Sequence, residues 1–385
     1  MKQSLHRHKL LALALGTLAL RLVSTALHAQ PNTFQQTNLV SDIPGLAANT
    51  DPNLVNPWGI SFSATSPFWI SDNGTGLSTL YNGSGTPQAL VVTIPKPGGG
   101  TSAPTGTVFN GGAAFNGDRF LFASEDGTIS GWRGALGTSA EVLVDNSGAG
   151  AVYKGLAIGS TGGFTYLYAS DFHGGKIDVL PASGAPALAG SFTDPTLPSG
   201  YAPFNIQNIG GQLYVTYALQ GAGGMDDVAG AGHGFVDVFD LNGNFVQRLI
   251  SQSVLDSPWG LALAPAGFGP FGGDLLVGNF GDGTINVFDP STGNFIDSLR
   301  DTLNNPLTIV GLWGIAFGNA GSGFLADSLY FTAGIPGDGA IEDHGLFGSL
   351  TAVPDNGMTL VMLAGALLGL LGLRRRLQKT EGIRA

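Results

Sequence analysis

A chain of 385 residues without a single cysteine has no disulfides, no thiolate metal ligands and no thiol nucleophile. Its 62 Gly and 21 Pro, against 11% charged residues, do not suit a helical protein and favour many short strands joined by tight turns. Residues 30–352 carry 7 basic and 25 acidic side chains, a formal charge of −18 that argues against nucleic acid or anionic lipid as partners.

The N-terminus places Lys2, Arg7 and Lys9 ahead of an apolar run over residues 10–20, followed by small residues at Ser24, Ala26 and Ala29. That is the order of a secretory signal, with cleavage expected after Ala29 and an alternative small-residue site at Ser24 and Ala26. Arg21 interrupts the apolar stretch and argues against a permanent anchor. The expected body is residues 30–352. It must be stabilised by packing alone, which a chain of this length can supply.

Self-similarity dominates the body. Asn56-Pro57-Trp58-Gly59-Ile60, Ser257-Pro258-Trp259-Gly260-Leu261 and Gly311-Leu312-Trp313-Gly314-Ile315 are its clearest copies. Weaker copies are Gly111-Gly112-Ala113-Ala114-Phe115, Lys154-Gly155-Leu156-Ala157-Ile158 and Phe204-Asn205-Ile206. They recur about every 43 to 55 residues, the period of a four-stranded propeller blade. Second strands follow, as in Phe68-Trp69-Ile70-Ser71-Asp72, Tyr166-Leu167-Tyr168-Ala169-Ser170-Asp171 and Leu275-Leu276-Val277-Gly278-Asn279. Third strands alternate, as in Lys176-Ile177-Asp178-Val179-Leu180 and Phe235-Val236-Asp237-Val238-Phe239-Asp240. After Gly- and Asn-rich turns come fourth strands such as Phe245-Val246-Gln247-Arg248-Leu249-Ile250. The expected fold is all-β, a six-bladed propeller, closed by pairing of the segment near Thr37-Asn38-Leu39-Val40 with the last blade. The repeated Trp-Gly pair reads as packing between blades, since a residue type that recurs in many blades serves the scaffold.

The C-terminus reads Val353-Pro354-Asp355-Asn356-Gly357, an apolar run over residues 358–373, then Arg374, Arg375 and Arg376. As a helix the run would span about 24 Å, near the thickness of a bilayer core. The arginines would hold its far end in the cytoplasm. The expected organisation is a signal peptide at 1–29, the propeller at 30–352, a sorting signal with one transmembrane helix at 353–376 and a cytoplasmic tail at 377–385.

Two resemblances add to this reading. Asn38-Leu39-Val40-Ser41-Asp42, Asp51-Pro52-Asn53-Leu54-Val55-Asn56-Pro57-Trp58-Gly59 and Ser170-Asp171-Phe172-His173-Gly174-Gly175 resemble a family of uncharacterised bacterial propeller proteins. The resemblance covers essentially the whole body. It implies a propeller of the NHL and SMP-30-like sort and brings no activity with it. Val353 to Gly357 and the following helix and arginines resemble the PEP-CTERM class of sorting signals, in the variant that begins Val-Pro-Asp-x-Gly, with Asn356 where Ser or Gly is commoner. This second resemblance implies an exosortase-type sorting enzyme as partner in a Gram-negative bacterium. Delivery would be to the outer envelope, cell surface or extracellular space, through an inner-membrane intermediate held transiently by the helix.

Chemistry is harder to find. No Gly-x-Ser-x-Gly elbow, phosphate-binding loop or EF-hand spacing occurs. Asp72, Glu125, Asp171 and Asn279 fall just after second strands and could converge on a channel cation such as calcium, with His173 nearby. The same residues sit in turn contexts where Asp and Asn are expected for local reasons. Glu342-Asp343-His344 is the best unrepeated polar group, readable as a cation site or as a solvated loop. The reading favoured is a binding or structural protein without a cofactor, whose ligand is a glycan or a matrix protein. The alternative is a metal-dependent hydrolase of the lactonase kind using Asp72, Asp171, Asn279 and their neighbours.

Overall fold

The computed structural model describes residues 32–337 and 340–353. The signal-peptide segment, the membrane-length run and all of the C-terminal motif beyond Val353 lie outside the described residues. Among those described, no helix is long and apolar enough to cross a membrane.

Thr33–Thr351 forms one compact unit of six sheets arranged as propeller blades. Each blade starts with an inner strand, and these are Pro57–Ser61, Pro104–Phe109, Tyr153–Thr161, Tyr201–Ile209, Pro258–Leu263 and Leu312–Phe317. Antiparallel strands then step outward, in blade 4 through Gln212–Leu219 and Phe235–Asp240 to Phe245–Ser251. In blade 6 the chain supplies Leu312–Phe317, Leu329–Ile335 and His344–Ala352, and the start of the body, Phe34–Ser41, adds to that sheet. Ser41 Oγ donates to the Gly345 carbonyl at 2.7 Å across this closure. The expected pairing of the opening segment with the last blade is therefore present.

The inner strands approach one another through a repeated bulge. Their register against the second strands slips between Pro57 and Ile60, Pro104 and Thr107, Tyr153 and Gly155, Pro203 and Asn205, Pro258 and Gly260, and Leu312 and Ile315. Five of these sites carry a glycine. A Cβ at Gly106 would lie 2.3 Å from Leu156 N, and one at Gly314 would lie 2.5 Å from the Trp58 carbonyl oxygen, so any side chain would push the inner strands apart. Blade 4 has Asn205 instead, and its Nδ2 bridges to the Trp259 carbonyl at 2.7 Å.

Two expectations need correction. In blade 2 the landmark is Pro104-Thr105-Gly106, whereas Gly111 to Phe115 lie in the following connection and a short 3-10 turn at Phe115–Gly117. The true inner strand has no aromatic before its glycine and so escaped the pattern. Blade 3 has three strands, Tyr153–Thr161, Phe164–Asp171 and Lys176–Pro181, where a four-stranded period implied a fourth. The chain beyond them carries Pro186, Pro195 and Pro198, which cannot donate to a strand ladder. It runs across to blade 4, where Gly190 and Phe192 donate main-chain hydrogen bonds to Asn242 and Gly243.

Apolar side chains fill the wedges between blades. Phe68 of blade 1 stacks between Phe62 at 4.4 Å and Phe324 at 3.7 Å, next to Tyr330 and Phe347 of blade 6. Each such side chain, fully buried, contributes about 1.5–3 kcal/mol.

Candidate functional site at the channel mouth

The residues before the bulge positions are Trp58, Thr105, Lys154, Phe204, Trp259 and Trp313, and the aromatic ones, from blades 1, 4, 5 and 6, meet in one buried cluster. Trp58 and Trp313 stack at 3.5 Å, Trp259 meets both edge-on at 5.9 and 5.8 Å, and Phe280 stacks on Trp313 at 3.9 Å. Residues of blades 1, 3 and 5 touch here, which only contact across the axis allows. The aromatic cluster thus closes one end of the channel. The other end is a cavity of about 710 Å³ lined by the later halves of the inner strands.

Lys154 is the odd member of this ring. It is 3% exposed, with Nζ 5.2 Å from the centre of the Trp58 ring and ion-paired with Glu125. Its carbonyl accepts a hydrogen bond from Trp259 Nε1 at 3.1 Å. Asp226, on the long loop of blade 4, places Oδ1 3.9 Å from Lys154 Nζ and is almost fully exposed. Glu125 Oε2 accepts from Asn73 Nδ2 at 2.9 Å, and Asn56 Nδ2 reaches both Asn73 Oδ1 at 3.3 Å and Glu342 Oε1 at 3.0 Å. Trp313 Nε1 closes the network by donating to Asn56 Oδ1 at 3.1 Å. Burial pushes the Glu342 carboxyl up to about 6, and burial likewise raises Asp227. Asn56 and Glu342 both hold left-handed backbone, with φ of 46° and 78°, a conformation that costs energy outside glycine.

The Trp rings and the Lys154 ammonium are themselves buried, so what this end offers a ligand is its polar rim, with Asp226 exposed and Asn73, Glu125 and Glu342 half-buried, which can hydrogen-bond to it. No nucleophile and base pair stands out within it.

The expected site residues are distributed differently. Asp72 ends its strand fully buried beside Tyr81 and Asp51, and neither carboxylate oxygen has a hydrogen-bond partner among the described residues. Burial raises its carboxyl well above the usual carboxylate range. Asp171 accepts from the Val152 and Gly174 N–H groups at 3.0 and 2.9 Å. Asn279 Nδ2 donates to the Val254 carbonyl at 2.8 Å and to Asp282 Oδ1 at 3.1 Å. His173 is exposed, with Nδ1 3.0 Å from the Gly223 carbonyl. Asp171 and Asn279 are spent on their own surroundings, Asp72 is buried without a hydrogen-bond partner among the described residues, and His173 reaches the blade 4 loop, so the four, drawn from blades 1, 3 and 5, do not converge. Among the described residues no three His, Asp or Glu side chains are grouped to hold a metal ion.

The displacement has a simple cause. Side chains alternate along a strand, so the residue one step beyond Asp72, Asp171 and Asn279 turns the other way, toward the axis. Those next residues are Asn73, Phe172 and Phe280, and the corresponding blade 2 residue is Glu125, which does reach the mouth. Glu342-Asp343-His344 divides three ways. Glu342 faces Asn56, Asp343 accepts from the Ala340 N–H at 2.9 Å, and His344 Nδ1 lies 2.5 Å from Asp42 Oδ2. Sequence reasoning missed Lys154 as a site residue; the signal that could have found it is a charged residue in a repeat copy where the three clearest copies carry Trp.

Fold and tail together define a class, a six-bladed β-propeller followed by a C-terminal sorting motif. Residues 352–377 match the VPDSG-CTERM motif, in agreement with the reading of Val353 to Gly357 and Arg374 to Arg376. The chain belongs to one family with Uncharacterized protein R648 and Uncharacterized protein L690 of Acanthamoeba polyphaga mimivirus. It is 35% identical to each over 303 residues, which cover 74% of this chain, 74% of the first relative and 79% of the second. Among solved structures, one titled glucose dehydrogenase is 14% identical with a TM-score of 0.51, covering 83% of this chain and 100% of its own, a likeness of fold alone.

Proposed function

We propose that the protein is exported and sorted to the cell envelope or surface, where its propeller binds a glycan or matrix protein at the Lys154 mouth. The observation that carries the reading is the sorting motif attached to a closed propeller. An exosortase-type enzyme is the expected partner in processing, the N-terminal 29 residues are removed during export, and residues 358–373 hold the chain in the inner membrane until the tail is cut. Binding is favoured over hydrolysis because the polar groups at the mouth are tied to one another and to the aromatic floor, while Asp171 and Asn279 hold their own turns.

The test is fractionation of a Gram-negative host that carries an exosortase-type enzyme, with intact-mass measurement of the recovered protein. The expected product lies in the envelope or medium and lacks both the first 29 residues and the tail beyond the motif. Full-length protein retained in the inner membrane, indistinguishable from a variant with residues 353–357 deleted, would overturn the proposal. A glycan array then compares the wild type with Lys154→Met, which is expected to lose binding at least tenfold if the mouth is the site, about the worth of one charge-assisted hydrogen bond.

A further inference from the structure

Among the described residues, blade 3 stops at its third strand, Lys176–Pro181, and that strand is left as a sheet edge. Ala182 N–H donates to the Thr165 carbonyl at 2.9 Å, which sets the alternation of the pair. Lys176, Asp178 and Leu180 therefore face the second strand with their main chains, and Ile177 and Val179 turn both N–H and C=O outward. Pro181 falls at an outward position, where its missing N–H costs nothing.

Beside this edge lies a cavity of about 480 Å³. Phe115, Leu143 and Val144 of blade 2 line one side, and Leu167, Asp178 and Leu180 of blade 3 line the other. A fourth strand laid along Lys176–Pro181 would drop alternate side chains into this space, as fourth strands do elsewhere in the molecule.

The other blades show what such a strand should carry. Asp178 stands in Lys176-Ile177-Asp178-Val179-Leu180 where blade 4 has Asp237 in Phe235-Val236-Asp237-Val238-Phe239 and blade 5 has Asn286 in Ile285-Asn286-Val287-Phe288. In blade 4 the fourth strand sets Arg248 opposite Asp237, with Nε to Oδ1 at 2.8 Å. In blade 5 Ser298 is opposite Asn286, with Oγ to Oδ1 at 2.6 Å. Among the described residues Asp178 has no counterpart of that kind on a fourth strand. It is held by Lys176 from its own strand and by the Tyr153 hydroxyl at 2.8 Å, and stays 21% exposed.

We propose that the fourth strand of blade 3 is supplied in trans by an extended segment of a partner polypeptide. It pairs with the main chain of Ile177 and Val179, buries alternate apolar side chains between blades 2 and 3, and sets a basic residue opposite Asp178. Main-chain pairing provides the affinity, and the aspartate and apolar cavity provide the selection. The acidic body favours a basic segment for the same reason that it repels nucleic acid. This surface lies apart from the channel mouth and stands whether or not a ligand binds there.

The probe is a fluorescent peptide copying residues 244–251, in which Arg248 is the aspartate-facing residue, together with its R248E form. Both are titrated into the full chain while amide hydrogen exchange is followed at Ile177 and Val179. The arginine peptide is expected to bind about fivefold more tightly than the glutamate form, the worth of one cross-strand charge pair, and to slow exchange at those two amides. Asp178→Lys is expected to reverse the preference. Val144→Trp, which fills the cavity without touching Asp178, is expected to weaken both peptides at least fivefold while leaving the melting temperature within a few degrees. Equal affinity of the two peptides, or unchanged exchange at Ile177 and Val179, would overturn the proposal. Protection of these amides without peptide would also overturn it, assigning the slot to a second copy if it grows with protein concentration and to the chain's own remaining residues if it does not.

Discussion

Glu342 enters the channel mouth from a loop, is largely removed from water and shares its surroundings with Glu125 and Asp227, so its carboxyl titrates near 6. Asp237 also rises to about 6, because burial outweighs the attraction of Arg248. A carboxyl whose folded value lies above its unfolded value binds its proton more tightly when folded. Its stabilising contribution is complete below about pH 4 and is lost as the pH rises to about 6. Replacing Glu342 with Gln keeps an acceptor for Asn56 and removes the titration. The variant should therefore gain about 1–2 kcal/mol relative to the wild type between pH 4 and 6. Calorimetric melting of the two proteins across that window checks this, and parallel curves would refute the assignment. Asn56, Asn73 and Glu125 were each legible as turn or landmark residues. Their meeting around Lys154 was not, since they come from two different blades and join Glu342 from a third.

At the scale of single elements, the fourth strand of blade 4 is tied down by charge. Arg248 lies over the Phe235 ring at 4.6 Å, pairs with Asp237 and Asp194, and so clasps the proline-rich segment between blades 3 and 4. Both aspartate side chains are fully buried, so removing the cation leaves two uncompensated carboxylates. Arg248→Ala is expected to cost about 3–5 kcal/mol. The double change Arg248→Met with Asp237→Asn should recover at least half of that loss, as measured by urea unfolding at pH 7. A single change costing under 1 kcal/mol would show the clasp to be dispensable. Strand positions were largely legible, because apolar and polar residues alternate along them, as in Phe235–Asp240, even though both faces of that strand are buried. The inner strand Pro104–Phe109 was not, since nothing in Thr105-Gly106-Thr107 contrasts with its surroundings.

For the whole molecule the decisive feature is closure. Phe34–Ser41 brings Phe34, Leu39 and Val40 into the core, with Phe34 stacked on Phe268 at 4.7 Å and Val40 fully buried. Phe34 N–H also donates to the Arg300 carbonyl at 2.8 Å, so this segment joins blade 6 to the end of blade 5. A chain lacking residues 34–41 should lose at least about 5 kcal/mol, from three buried apolar side chains, and expose the edge of His344–Ala352. Circular dichroism melting should show a midpoint lower by several degrees, restored in part by adding a peptide of residues 33–42. A truncated chain that melts like the wild type would mean that the ring closes without its clasp.

By itself the sequence determined the number of blades, the closing strand and the sorting signal, because each is written in local patterns: a period, an alternation, or a motif with an apolar run and arginines. Only the tertiary structure decided which polar residues share a site, since one step along a strand turns a side chain from the axis to a neighbouring blade. It alone showed that blade 3 ends at three strands, because whether a proline-rich segment folds back or crosses to the next blade depends on Asp194 and Phe192 meeting blade 4. Local pattern governs the making of strands, and packing among distant residues governs which of their faces meet.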